Sequence, residues 1–346
     1  MTLSDLLAVE EILDRALCDW RDLDTWSHAW IEPAHRWAEA VCREADRLGP
    51  LAIEPGLRSR GLELAKRPLL VCGFPRSGTT LLRDLLDGHP ALCVLPAEGQ
   101  YFNRPAEDGS VGGDRFAIDW LMRFANPNHQ RPFWLLGRSD DEDSPYVHLV
   151  RALRAWRLAI REAGLFDSDI AAVALAQASI VGEDLGAKRY WVDKTPGNEF
   201  HLKRILLNFP HAWVIQMVRQ PAGVYASHAA GQARTGMASS TLRAVLRNLT
   251  HSYVSGIRFR RGNAGSGYTT VQYEELVSDR EGTMRCLADF LGIPFDDSLL
   301  EQTIAGRTAQ PNSARSGAPR QDFTPGGLRE RFWFAAARLT RWGLIR

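Results

Sequence analysis

The chain has 346 residues, 45% hydrophobic and 24% charged, which is enough apolar content for a packed core and excludes a disordered chain. Forty-two basic and 41 acidic residues leave a formal net charge of +1, which excludes a protein whose main task is to coat nucleic acid or an acidic surface. The balance is uneven: residues 1–66 carry 8 basic and 13 acidic groups, residues 301–346 carry 8 and 3, and the only lysines are Lys66, Lys188, Lys194 and Lys203.

Cys18, Cys42, Cys72, Cys93 and Cys286 are odd in number and scattered, so neither a disulfide framework nor a structural zinc site is expected. The N-terminal stretch is acidic where a signal peptide needs basic residues, and no apolar run is long enough to form a transmembrane segment. A soluble, cytoplasmic protein is the expectation.

In chain order, residues 1–66 read as a helical N-terminal extension, with Leu6, Leu7, Ile12, Leu13 and Leu17 near helical spacing and Gly49 closing a second helix that Pro33 opens. After Pro68 the short apolar run Leu69-Leu70-Val71-Cys72 reads as a strand, followed by a glycine-bounded loop and a helix from Thr79 to Leu86. Further β-prone runs are Ala91–Leu95, Trp213–Val218 and Tyr268–Tyr273. Between the last two, Leu242, Val245, Leu246, Leu249, Tyr253 and Ile257 mark one face of a long helix. Strands alternating with helices imply an α/β protein with a mostly parallel sheet. Residues 99–188 fit this alternation poorly and read as a helical cap inserted over the sheet's C-terminal edge, where a substrate pocket would lie. Residues 326–346 read as a basic amphipathic helix, either packed on the domain or meeting a membrane or lipid acceptor.

The chemistry concentrates in Gly73-Phe74-Pro75-Arg76-Ser77-Gly78-Thr79-Thr80, between the first strand and its helix. Glycines at both ends let backbone N–H groups converge on an anion, and the helix N-terminus adds a favourable dipole. Thr79 stands where a Walker A loop requires lysine, and Arg76 supplies the cation instead, a fork suited to a tetrahedral anion.

The segment GFPRSGTTLLRDLLDGHP resembles the phosphosulfate-binding loop of sulfotransferases that use 3′-phosphoadenosine 5′-phosphosulfate, in the bacterial branch related to the tyrosylprotein enzymes. Trp191-Val192-Asp193-Lys194-Thr195-Pro196-Gly197-Asn198 is similar to that branch's K-[ST/D]-P segment. Asn208-Phe209-Pro210 and Trp213–Pro221, with Ser227 eight residues after Arg219, resemble its 3′-phosphate-binding strand, loop and helix. Val271–Val277 and Phe290-Leu291-Gly292-Ile293-Pro294 complete the series in family order over about residues 68–320.

The resemblance implies a three-layer P-loop-type α/β fold with a central parallel sheet of about four to five strands over residues 67–325, and a metal-independent sulfuryl transfer. The donor, whose product is 3′-phosphoadenosine 5′-phosphate, would be held by Gly73, Pro75, Arg76, Ser77, Gly78, Thr79 and Thr80 at the phosphosulfate. Arg219 and Ser227 would meet the 3′-phosphate. Lys194 and Arg76 would stabilise charge on the leaving phosphate, and Glu98 would act as general base, since none of the nine histidines aligns with that role. Tyr273 would pack on adenine, with Ser313 and Arg315 in a basic loop over the donor. Plainer readings stand beside these: Arg219 as a solvated charge, Lys194 as a surface lysine, Glu98 as a loop carboxylate, Tyr273 as a core aromatic. The acceptor would bear a hydroxyl or an amine on a small molecule, lipid, secondary metabolite or glycan, with no nucleic-acid partner. Two other functions remain open, a P-loop nucleotide kinase or hydrolase and an inactive nucleotide-binding module.

Overall fold

The structure is a computed structural model, which describes residues 55–95, 98, 185–235, 241–262, 267–304, 307–308 and 327–345, with residues 35, 36, 39, 42, 43 and 46–49 before them. The cap expected over residues 99–188 lies outside the described residues except at 185–188. The chain divides into two compact units. One comprises Met1–Lys66, Leu95–Ala97 and Arg104–Lys188; the other comprises Arg67–Val94, Glu98–Asn103 and Arg189–Arg346. In the first unit, helix α1 (Pro55–Ala65) is tied to the segment at 185–188 by Arg60, whose Nε donates to Leu185 O at 2.8 Å.

The second unit is built on a five-stranded parallel sheet: β1 (Pro68–Cys72), β2 (Leu92–Val94), β3 (Tyr190–Lys194), β4 (Trp213–Val218) and β5 (Tyr268–Gln272), in the order β2-β3-β1-β4-β5. Central β1 is buried along its whole length, as its unbroken apolar run requires of a strand covered on both faces. The apolar runs pointed to four of these strands. The fifth, β3, reads YWVDK, and its two terminal charged residues break the apolar pattern.

Side chains alternate across the sheet. Leu69, Val71, Val192, Ile215, Met217 and Val271 share one face and pack with α2 (Thr79–Leu86), α6 (Tyr273–Ser278) and α7 (Arg280–Leu291). The other face is covered by α4 (Pro221–Thr235), α5 (Leu242–Gly262) and α8 (Leu328–Ile345), joined through Val218, Val224, Leu249, Tyr253, Phe334 and Leu344. All six residues marked from the sequence as one helical face of α5 line this second core. Between β3 and β4 the chain forms a 3-10 turn (Asn198–Phe200) and the short helix α3 (Leu202–Asn208). Two short antiparallel strands, β6 (Thr303–Ile304) and β7 (Arg307–Thr308), follow α7.

The strand order places the site. From β1 the chain goes to one side for β2 and β3, then crosses to the other for β4, so the carboxyl ends of β1, β3 and β4 border the crevice where such folds bind ligands. Register brings Lys194 beside Val71 and Gln216 beside Cys72, directly under the loop that begins at Gly73.

Phe334 is buried, meeting Tyr225 edge-on with ring centroids 6.4 Å apart. Phe334→Ala is expected to lower the free energy of unfolding by about 3 kcal/mol, read from the shift in the urea midpoint at constant slope.

Candidate functional site

The loop after β1 has backbone shapes that only certain residues adopt easily. Gly73 and Gly78 have φ of 134° and 100°, and Arg76 is the only described non-glycine residue with positive φ, at 74°. A Cβ on Gly73 would lie 2.5 Å from Met217 O, and one on Gly78 would run into the edge of the Tyr273 ring, so both positions also require glycine for close approach. Helix α2 begins at Thr79 with no acidic side chain in its first turn, leaving its N-terminal N–H groups facing the loop without a competing charge. Ser77 is fully buried, and its Oγ has no hydrogen-bond partner among the described residues. An orphaned hydroxyl in a glycine-bounded loop fits an anionic ligand that would complete it.

Both arginines singled out from the sequence flank one face of α4. A Cβ on Gly223 would meet Arg219 Nε at 3.0 Å, and one on Gly231 would meet Arg76 Nη2 at 2.7 Å. Ser227, also buried, lies one turn from each glycine, so Gly223, Ser227 and Gly231 form a stripe at four-residue steps with a guanidinium at either end. Glycines at these positions make room for the guanidinium groups. Sequence reading had passed over them, although their spacing around Ser227 was visible. His228 beside the stripe is held below its ordinary pKa by partial burial and then by the Arg76 charge, so it adds no third cation near neutral pH.

Arg219 is fixed from several sides. Its Nη1 donates to Arg76 O at 3.1 Å, its guanidinium carbon stands 3.9 Å from the Tyr273 ring centroid, and its own carbonyl accepts from Tyr253 Oη at 2.5 Å. Burial pushes the Tyr253 phenol far up, so it stays a donor. Tyr273 is itself buried, with Gly78 against its edge and Arg219 over its face. The next residue, Gln220, donates its N–H to Glu274 Oε1 at 2.8 Å, and Glu274 Oε2 accepts from Arg341 of α8 at 2.9 Å.

Lys194 at the end of β3 is buried and donates through Nζ to Glu98 Oε1, so the two residues assigned separately from the sequence are in direct contact. The segment around Lys194 is knotted: Asp193 accepts from Thr195 Oγ1 at 3.1 Å and Asn198 Nδ2 at 3.3 Å, and Thr195 N–H donates to Val71 O at 3.0 Å.

Beneath both loops lies a carboxylate that sequence reading missed. Glu199 is buried; its Oε2 accepts from Gly73 N at 3.0 Å and Gly197 N at 3.1 Å, and its Oε1 accepts from Ser252 Oγ at 2.6 Å. Desolvation raises its pKa, and the hydrogen bonds from Ser252, Gly73 and Gly197 oppose that shift. The network continues through Gln216, whose Nε2 donates to Ser252 O at 3.2 Å and whose Oε1 accepts from Tyr268 Oη at 2.6 Å. No charge pattern in the sequence marked Glu199, three residues after Pro196; its importance comes from burial alone. Ser313 and Arg315 lie outside the described residues.

A parallel α/β sheet with a glycine-bounded loop after its central strand and two arginines on the following helical face is an arrangement whose donors and charge suit a phosphate- or sulfate-bearing ligand. The Sulfotransferase family profile matches residues 68–297, and the chain belongs to that family. It is 27% identical over 235 residues to Protein-tyrosine sulfotransferase 1 of Danio rerio, covering 67% of this chain and 55% of that protein, so it spans about half the relative's length. Among solved structures, the sulfotransferase domain of the Synechococcus PCC 7002 olefin synthase aligns with a TM-score of 0.47 at 18% identity, covering 79% of this chain and 94% of that one. Sulfotransferase STF9 of Mycobacterium avium aligns with a TM-score of 0.42 at 18% identity, covering 95% of this chain and 94% of that one.

Two substitutions separate the roles of these groups. Gly231→Ala adds a helix-favouring residue, worth up to about 1 kcal/mol, but displaces the Arg76 guanidinium. Unfolding free energy is therefore expected to hold or rise while affinity for 3′-phosphoadenosine 5′-phosphate, read by calorimetry, falls. Glu199→Ala leaves two buried N–H groups and a hydroxyl without their acceptor and is expected to cost about 3 kcal/mol in urea unfolding.

Proposed function

We propose that the protein transfers the sulfuryl group of 3′-phosphoadenosine 5′-phosphosulfate to a hydroxyl acceptor by in-line displacement. The single observation that carries this reading is the contact between Lys194 and Glu98 at the end of β3, next to the strand that feeds the anion loop. Lone loop residues would not require a buried ammonium to meet a half-buried carboxylate there.

The donor supplies an activated sulfuryl group on a phosphate leaving group. Arg76, Ser77, Gly78, Thr79 and Thr80 would hold its phosphosulfate, the orphaned Ser77 hydroxyl giving a hydrogen bond it otherwise lacks. Arg219 and Ser227 would hold the 3′-phosphate. Tyr273 supports Arg219 by lying against its guanidinium.

In the reaction Glu98 takes the proton of the acceptor hydroxyl as its oxygen attacks sulfur, and the bond from sulfur to the bridging phosphate oxygen breaks. Lys194 and Arg76 stabilise the charge arriving on that phosphate. The Lys194–Glu98 contact gives the two groups a common position before substrates enter, and each exchanges its partner for a reacting group when they do. Arg219 stands at the end of β4, where a P-loop kinase would carry a magnesium-binding aspartate, and Thr79 takes the place of its lysine; both favour sulfuryl transfer over a kinase. The hydroxyl-bearing acceptor class extends to small molecules, lipids and glycans; the Danio rerio relative bears the name of an enzyme of protein tyrosine, which makes phenols the first acceptors to screen.

Calorimetry tests the donor: tight, metal-independent binding of 3′-phosphoadenosine 5′-phosphate is expected, and a magnesium-dependent preference for ATP would overturn the proposal. With labelled donor, Glu98→Gln and Lys194→Ala are each expected to reduce turnover by about two decades or more while donor-product binding survives in Glu98→Gln. Because the two side chains touch, the double variant is expected to lose less than the product of the single losses.

A further inference from the structure

Six large hydrophobic side chains are exposed among the described residues, and four of them, Leu328, Phe332, Leu339 and Trp342, lie on α8. They are 87%, 66%, 73% and 53% exposed, and with Ala335 they recur at steps of four, three, four and three residues, a single stripe along the helix. The opposite stripe, Phe334, Ala337, Arg341 and Leu344, is buried in the second core, and Arg341 anchors the helix to Gln272 and Glu274. The helix therefore has two apolar faces, one buried in the fold and one exposed.

Charge identifies what the outer face meets. The remaining exposed side chains of α8 are Arg329, Arg331 and Arg338, and its one acidic residue, Glu330, is half-buried, away from the stripe. A second copy of this chain docking through the same face would set the arginines of α8 against one another with no fully exposed carboxylate on that helix to neutralise them. An acyl surface with anionic headgroups satisfies both parts: Leu328, Phe332, Leu339 and Trp342 enter the headgroup boundary while the arginines meet phosphates. No described helix is long and apolar enough to cross a membrane, so the contact is peripheral.

We infer that the outward face of α8 is a docking surface for anionic lipid membranes. The site residues do not take part in it, and vesicle binding is measured without turnover, so this inference stands or falls apart from the proposed transfer reaction.

The test is co-sedimentation of the full chain with vesicles of phosphatidylcholine alone or with a third phosphatidylglycerol. Binding is expected only to the anionic vesicles and is expected to weaken at high salt. Each of Arg331→Ala and Arg338→Ala should weaken partitioning about fivefold, as about 1 kcal/mol per cation near an anionic surface predicts. Phe332→Ser with Trp342→Ser should abolish it. All these positions are exposed, so urea midpoints and affinity for 3′-phosphoadenosine 5′-phosphate should stay at the parent values. Equal binding by parent and variants, or none by the parent, overturns the inference. So does a concentration-dependent dimer in light scattering that Phe332→Ser with Trp342→Ser dissolves, which would assign the face to a second copy.

Discussion

The candidate site hangs on one buried carboxylate. Glu199 collects the first N–H of the anion loop, the N–H of Gly197 after the Lys194 segment, and a hydroxyl from α5. Three donors on two oxygens make it tolerable to bury an acid out of water, and the same bonds oblige the two loops to keep one spacing. In the loop after β1, glycine occupies the points of closest approach, Gly73 against Met217 O and Gly78 against the Tyr273 ring, so no side chain anchors it there. The carboxylate does what packing cannot: it fixes backbone to backbone across two strands. Gln216 and Tyr268 extend the arrangement to β4 and β5, and burial keeps the Tyr268 phenol a donor at its far end.

A second level of order surrounds the arginines. Long cationic side chains lose much rotamer freedom when fixed, and a ligand that must order them binds correspondingly less tightly. Arg219 is already restrained by the Arg76 carbonyl and the Tyr273 ring, and its backbone is held by Tyr253. The glycine stripe on α4 gives both guanidinium groups a groove to lie in. Pre-organisation of this kind would let an anionic ligand bind without large movement of the chain.

Helix α8 connects the interior to the surface. Its buried face completes the second core and, through Arg341 and Glu274, braces the backbone next to Arg219. Its outer face is apolar and cationic. The four arginines of α8 divide by face: Arg341 works inside the fold, while Arg329, Arg331 and Arg338 stand in solvent.

The sequence by itself determined the fold class, four of the five main strands, the long face of α5 and the glycine-bounded loop between β1 and α2, because each is written in local periodicity or in glycine placement within a few residues. The order of its motifs also carried the family. Tertiary structure alone decided that Lys194 meets Glu98, that Gly223 and Gly231 seat two arginines on either side of Ser227, and that Glu199 joins two loops. Those contacts span residues far apart in the chain or depend on burial, which local pattern does not encode. The strand β3 shows the boundary between the two: its last residues, Asp193 and Lys194, are charged and hide the apolar pattern by which a strand is recognised, and only pairing with β1 and β2 makes the segment a strand.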